Sequence, residues 1–329
     1  MRVALTGASG LLGGNLAIAL CERGDTVVAT RRGTSRVKHL DDYPIEWVDA
    51  DLGEPEKLTG AFTGAELVFH VAAMVSVRRR PTPALVAANV EGTRNVVTAV
   101  RAAGVRRLVH TSTVGAVGLS EDGVPCTEGA RWNFGEHDLD DGYVTTKHQS
   151  ELLVAEAVRG GLDAVVVNPT YMLGPFDSKP SSGKLLIELA RGKIPGLTPG
   201  ANNFVDVRDV VRGMLLAAER GRAGERYILG GENMPYAVAF ARMAKVIGVA
   251  PPTRVLPGWI ARGFGLAGDV QEKLTGSEPM LNSVTVRYGY CKSFQFSSAK
   301  AEQELGYTHG PIEPAIADAI AWFRASGML

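Results

Sequence analysis

The chain has 329 residues, 45% hydrophobic and 21% charged, long enough for one large domain or two smaller ones around a sizeable core. Lys plus Arg and Asp plus Glu both number 35, so nothing in the charge balance argues for nucleic acid. Three separated cysteines and six scattered histidines give neither a disulfide framework nor metal-ligand spacing, and no apolar run reaches the ~18 residues that span a bilayer.

In chain order, "RVALTG" (2–7) reads as a short buried strand ending in Gly, followed by a helix from Leu11 to Arg23. The chain enters this strand without a charged leader, and with the isolated cysteines this predicts a reducing, cytoplasmic setting. "TVVAT" (26–30), "IEWVDADL" (45–52) and "ELVFHVAA" (66–73) read as further strands. A helical pattern over 89–104 precedes the strand "RRLVHTSTV" (106–114). A helix from about Asp141 to Arg159 leads to the strand "LDAVVVNP" (162–169). Short strands alternating with helices predict an α/β fold: a Rossmann-type, doubly wound parallel sheet whose ligands sit beyond the carboxyl ends of the strands.

After Asn168 the texture changes, with Pro and Gly dense in "GPFDSKPSSGK" and "GKIPGLTPGANN". The expected organisation is a dinucleotide-binding domain over 1–170, to which 202–232 returns. A smaller, mostly helical substrate-binding cap is expected from 171–201 and 233–329.

"TGASGLLG" sets Gly7, Gly10 and Gly13 three apart between a strand and a helix. Gly7 permits a tight turn, Gly10 a close approach of backbone to a pyrophosphate, and Gly13 close helix–strand packing. Ser9, Leu11 and Leu12 complete the cofactor-facing turn at a helix N-terminus, whose unpaired N–H groups and dipole favour an anion. The second strand runs into Arg31 and Arg32 with no acid beside them. Arg suits the 2′-phosphate of NADP, where a carboxylate would mark NAD, so NADP is favoured over NAD. Asp51 and Leu52 end the third strand and suit an adenine, one by accepting from its amino group and one by packing on the ring. Val71, Ala72 and Ala73 offer small residues where a cofactor could pass closely. His70 reads as a packed histidine.

Tyr143 and Lys147 stand four apart at the start of a helix and share one face. A nearby ammonium stabilises a phenolate and lowers the phenol's pKa from ~10 toward the range useful in proton transfer. Ser112 and Thr113, at the end of a sheet strand, can hold a substrate oxygen.

Together these motifs resemble the extended short-chain dehydrogenase/reductase family of NAD-dependent epimerase/dehydratase type, over nearly the whole chain. "TGASGLLG" is similar to its TGxxGxxG, "DL" at 51–52 to its adenine contact, "NVEGT" to its helix with Asn89, and "YVTTK" to its YxxxK. "NPTYMLGP", beginning at Asn168 and Pro169, is similar to its substrate-side turn. The resemblance implies a catalytic trio of Thr113, Tyr143 and Lys147. Thr113 stands five residues before Gly118, where serine is more usual, and Ser112 is the fallback. The implied chemistry is hydride transfer between nicotinamide and a carbonyl carbon, with Tyr143 as acid/base. Lys147 would hold the nicotinamide ribose, and Asn168 would brace backbone nearby.

"TVVATRR" and "YCKSFQFSSAKAEQELGY" resemble dihydroflavonol-reductase-like and 3β-hydroxysteroid-dehydrogenase-like members, and the apolar helical stretch 256–274 suits an apolar ligand better than a diphosphate. These imply a ketone or secondary alcohol on a small, rather apolar molecule. The alternatives are a nucleotide-sugar epimerase or dehydratase with tightly held NAD, and a non-catalytic cofactor-binding module. Met74, Val75, Tyr171, Met172 and Phe204, with Ser112 and Thr113, are the candidate substrate contacts. Asp206 and Asp209 read as helix-capping carboxylates, and 78–83 as a solvated rim loop. A homodimer through helices like 83–103 and 141–159 is implied by the resemblance alone.

Overall fold

The computed structural model describes residues 1–121, 123–277, 279 and 281–329. Its strands are β1 (Arg2–Thr6), β2 (Thr26–Arg31), β3 (Ile45–Asp49), β4 (Leu67–His70), β5 (Arg107–Thr111), β6 (Ala164–Pro169), β7 (Tyr171–Leu173), β8 (Ala201–Asp206), β9 (Arg226–Leu229) and β10 (Glu232–Pro235). Its helices are α1 (Leu11–Glu22), α2 (Pro55–Phe62), α3 (Pro83–Val86), α4 (Gly92–Ala102), α5 (Gly142–Arg159), α6 (Lys184–Ala190), α7 (Val207–Arg220), α8 (Tyr236–Ile247), α9 (Gly258–Thr275), α10 (Ser283–Tyr290), α11 (Ala299–Leu305) and α12 (Glu313–Ala325).

Seven strands pair in the order β3-β2-β1-β4-β5-β6-β9, every pair parallel. The near-continuous apolar runs of β4 and β6 are buried along their whole length, as strands covered on both faces must be. The period of two then sorts the side chains. Val3, Leu5, Phe69, Val109 and Val167 pack with α1 and α7 on one face. Ala4, Val68, Leu108 and Val166 pack with α2, α4 and α5 on the other. The strand order reverses between β1 and β4, which opens a crevice at their carboxyl ends.

The strand 201–206, expected to return with 202–232 to the main sheet, pairs instead with β7 and β10 in a second, three-stranded sheet. Phe204 is the reason. It is buried with Leu173, Met234 and the apolar faces of α8 and α12, a core separate from the main sheet. Only α7 and β9 rejoin the large sheet. Residues 299–307, expected in the cap, also belong to the main body: Ala301, Leu305 and Tyr307 complete the α1–α7 core. Cys21, Cys126 and Cys291 are unpaired. Among the described residues, no helix is long and apolar enough to cross a membrane, and no group of metal-binding side chains is found.

Candidate active site

The first turn assigns each glycine a different duty. Gly7 has φ +86°, in the left-handed region, and a Cβ there would lie 2.5 Å from the Ala72 nitrogen. A Cβ on Gly13 would overlap the Gly7 carbonyl oxygen, so α1 can approach β1 only without one. Gly10 differs: the nearest atom to its Cβ position is the Gly7 carbonyl oxygen at 3.6 Å, an ordinary contact. Nothing in the protein itself demands glycine there. Gly10 also opens α1 with no side-chain cap and no acidic residue in the first turn, which leaves the helix N–H groups to an anion. The turn is gripped from beyond β7, where Asn15 Nδ2 donates to the Pro175 carbonyl at 2.9 Å and Ser178 Oγ to the Ser9 carbonyl at 2.9 Å.

The ends of β2 and β3 correct one expectation. Arg31 and Arg32 do have acids beside them, because parallel pairing sets Arg31 opposite Asp49. Arg31 Nε donates to Asp49 Oδ1 at 3.1 Å, and its guanidinium lies 5.4 Å over the Trp47 ring. Arg32 stays exposed and stands 3.8 Å from Asp51 Oδ2. Asp51 Oδ1 accepts from Gly53 N at 2.9 Å, and Leu52 packs against Gly92.

Helix α5 carries the candidate reacting groups Tyr143 and Lys147. Asp141 caps it, its side chain accepting from Val144 N at 2.8 Å, and this fixes where Tyr143 and Lys147 emerge. Thr113 lies just past β5. Its hydroxyl accepts from Gly115 N at 3.3 Å and, against the larger effect of burial, acts on the Tyr143 phenol to lower its pKa. Lys147 is buried and donates to the Thr111 carbonyl at 2.8 Å; burial brings its pKa down to about 8. The expected acidification of Tyr143 is not what this geometry gives. Burial pushes the phenol up to about 12, the Asp141 charge adds to this, and the Thr113 hydroxyl opposes it. The lysine ammonium is turned toward the strand, and its charge is felt instead by His70 and His110 below it. His70 is a packed residue as read, held between Thr6 Oγ1 at 2.8 Å and Thr93 Oγ1 at 3.2 Å.

Asn89 sits in a π-helical turn (Ala87–Glu91) between α3 and α4. Its amide accepts from Met74 N at 2.7 Å and donates to the Met74 carbonyl and Thr146 Oγ1 at 2.9 and 3.0 Å. It therefore ties the strand end Val71–Ala73 to the start of α5. Ala72 N donates to Thr6 Oγ1 at 3.3 Å. On the substrate side Met74 and Val75 are exposed, Ser112 is buried with an unpartnered hydroxyl, and Tyr171 donates to the Ser182 carbonyl at 3.0 Å. Met172 is half-buried against the main core. Phe204 is 1% exposed, a core residue rather than an open substrate contact. The 78–83 loop is anchored as well as solvated: Arg78 pairs with Glu272 at 3.5 Å and donates to the Gly276 carbonyl. Asp206 caps α7 as expected, while Asp209 accepts from Gly310 N at 2.8 Å and pairs with Arg212.

The family model for the NAD dependent epimerase/dehydratase family matches residues 3–230. The chain belongs to that family. It is 36% identical to sterol demethylase protein B of Methylococcus capsulatus, with all of both chains covered. It is 34% identical to a Synechocystis sp. protein named "Putative dihydroflavonol 4-reductase", over 98% of this chain and 94% of that one. Among solved structures it is similar to gox2253, with 35% identity, a TM-score of 0.85, and 100% and 99% of the two chains covered. As an epimerase/dehydratase-family member of extended short-chain dehydrogenase/reductase type, it is an NAD(P)-dependent enzyme.

The family's dinucleotide fits the residues present. The space over Gly10 and the bare N-terminus of α1 suit a pyrophosphate. The Tyr143, Lys147 and Thr113 side chains meet at the same strand ends. Two residues of this family member escaped the sequence reading. Asn168 Nδ2 donates both to the Thr113 carbonyl at 2.9 Å and to Glu151 Oε2 at 3.0 Å. Glu151 Oε1 in turn accepts from Arg226 at 3.0 Å. Glu151 lies four residues beyond Lys147, so Tyr143, Lys147 and Glu151 share a helix face, a spacing that could have shown it. Arg226 had no such signal; only the pairing of β6 with β9 brings it there.

Proposed function

We propose that the protein reduces a ketone, or oxidises the matching secondary alcohol, on a small and rather apolar molecule. Bound nicotinamide would supply the hydride. Tyr143, held protonated by its surroundings, is the proton donor to the developing alkoxide. Thr113, fixed through its backbone by Asn168 and Glu151, sets its hydroxyl where it can orient the substrate oxygen. Lys147, anchored at Thr111, is the group available to ribose hydroxyls.

The observation that carries this reading is the placing of Thr113 just past β5 beside Tyr143 and Lys147 on α5, with Lys147 anchored to the Thr111 carbonyl at the same strand end. The names of the relatives, a sterol protein and a dihydroflavonol reductase, support an apolar substrate. NADP is favoured through Arg32, the arginine not committed to a close carboxylate. The cytoplasm suits both this coenzyme and three free thiols.

The test is purified protein with NADPH or NADH and a panel of ketones, compared with Tyr143→Phe. Turnover should fall about 10²–10⁴-fold in the variant, with coenzyme affinity unchanged. A variant that keeps its turnover removes Tyr143 from the reaction. The family description also favours a second reading, a nucleotide-sugar epimerase. Stoichiometric NAD released on denaturing the purified protein would establish that one instead.

A further inference from the structure

Helix α9 is built inside out. Its buried residues are Ala261, Gly265 and Gly268. They let it press on the following segment so closely that a Cβ on Gly265 would lie 3.1 Å from the Ser283 Cα. Four of its large apolar residues point the other way: Trp259 is 76% exposed, Leu266 62%, Val270 54% and Leu274 81%. Their spacing of seven, four and four places all four on one stripe along the helix. A surface helix usually turns such a stripe to the core, and a contiguous exposed apolar patch marks a contact surface.

The charges bordering the stripe are mostly positive, with Asp269 on the same edge as Arg262 and Lys273. By helical spacing Arg262 and Lys273 line one edge of it, and Arg254 precedes the helix; none of the three has an ion pair among the described residues. Of the α9 carboxylates, Glu272 alone is paired with a cation among the described residues. Asp269 accepts from Ser283 N at 3.1 Å, and Glu272 pairs with Arg78, whose neighbours Arg79 and Arg80 are exposed.

We propose that this face of α9 lies in the surface of a bilayer that carries anionic phospholipids. The apolar stripe enters the headgroup–acyl boundary, and the cations meet lipid phosphates. An aromatic residue at the helix start and basic residues along one edge are the composition of an interfacial helix. No described helix can cross a membrane, so docking is lateral. A second copy of the chain is the weaker occupant, because face-to-face pairing would set the same unpaired cations against each other. The docking face uses none of the catalytic residues and holds whichever substrate is reduced.

The test is flotation of the full-length protein with vesicles of phosphatidylcholine alone or mixed with phosphatidylglycerol. Wild type should float with the anionic vesicles and be released by salt. The Leu266→Glu/Leu274→Glu variant should lose at least about tenfold in partitioning. Arg262→Glu/Lys273→Glu should lose about fivefold per charge on anionic vesicles only. Should the apolar variant misfold, the charge variant and a blue shift of tryptophan emission, absent in Trp259→Phe, decide the matter. Wild type that stays unbound, variants that float like wild type, or a solution dimer that the glutamate pair dissociates would each overturn the proposal.

Discussion

At the scale of single residues, the proposed acid/base Tyr143 is set to give a proton rather than to take one. Burial and the Asp141 charge keep the Tyr143 phenol protonated, the state that reduction requires. Asp141 thereby becomes a handle. Its own pKa is pushed up to about 6 by burial, against the hydrogen bonds from Val144 N and the Tyr288 hydroxyl. Asp141→Asn keeps an oxygen for the helix cap and removes the negative charge, so the phenol's pKa should fall. In alcohol oxidation, where the phenolate is needed, the rising limb of the pH–rate profile should move to lower pH; an unmoved limb would separate Asp141 from the chemistry. Arg32→Glu should weaken NADPH at least about tenfold and spare NADH, as coenzyme titrations would show. The Tyr143–Lys147 pair was legible from spacing, whereas Thr113 was singled out from Ser112 only by the family resemblance. The Arg31–Asp49 contact was not legible, because it depends on the register of two strands whose partners lie 18 residues apart.

At the scale of elements, the three glycines of the first turn separate stability from binding. Gly13→Ala drives a methyl into the Gly7 carbonyl and should cost about 1–3 kcal/mol, read as a lower Tm. Gly10 has φ −94° and room for a methyl, so Gly10→Ala should leave Tm unchanged and weaken coenzyme binding. Loss of Tm in both variants would make the turn merely structural. Element existence was readable because short buried strands and amphipathic helices alternate cleanly up to Pro169. What failed was assignment to a sheet. Nothing local in "ANNFVD" says which strands will flank it; Phe204 chooses the smaller sheet by joining Leu173 and Met234. Likewise α11 is short and polar in sequence, and only the docking of Ala301, Leu305 and Tyr307 reveals that it closes the main core.

At the scale of the whole molecule, two histidines buried beneath the site tie stability to pH. Burial, then the Lys147 charge, brings His70 down to about 3 and His110 well below its ordinary range. The unfolded chain takes up these protons near pH 6.5 while the folded chain refuses them. Stability is therefore lost as pH falls below about 6.5, by up to about 1.4 kcal/mol per pH unit for each histidine. Asp141 and Asp177, both raised to about 6, act oppositely: the folded chain gains stability as pH falls from about 6 toward 4. Both ring nitrogens of His110 are without partners, so His110→Phe should not weaken the fold at neutral pH. In urea melts between pH 6 and 4 it should be more acid-resistant than wild type. Equal acid sensitivity would mean that His110 is not buried neutral.

The grip of Asn15 on Pro175 and of Ser178 on Ser9 joins the phosphate-facing turn to the segment that leads into α6, where Asp177 also holds Ser181 N and Gly183 N at 3.1 Å. Loading the coenzyme should therefore firm up this segment, which adjoins Tyr171 on the proposed substrate side. The rate law that follows is a compulsory sequence, coenzyme on first and off last, and product-inhibition patterns would reveal it.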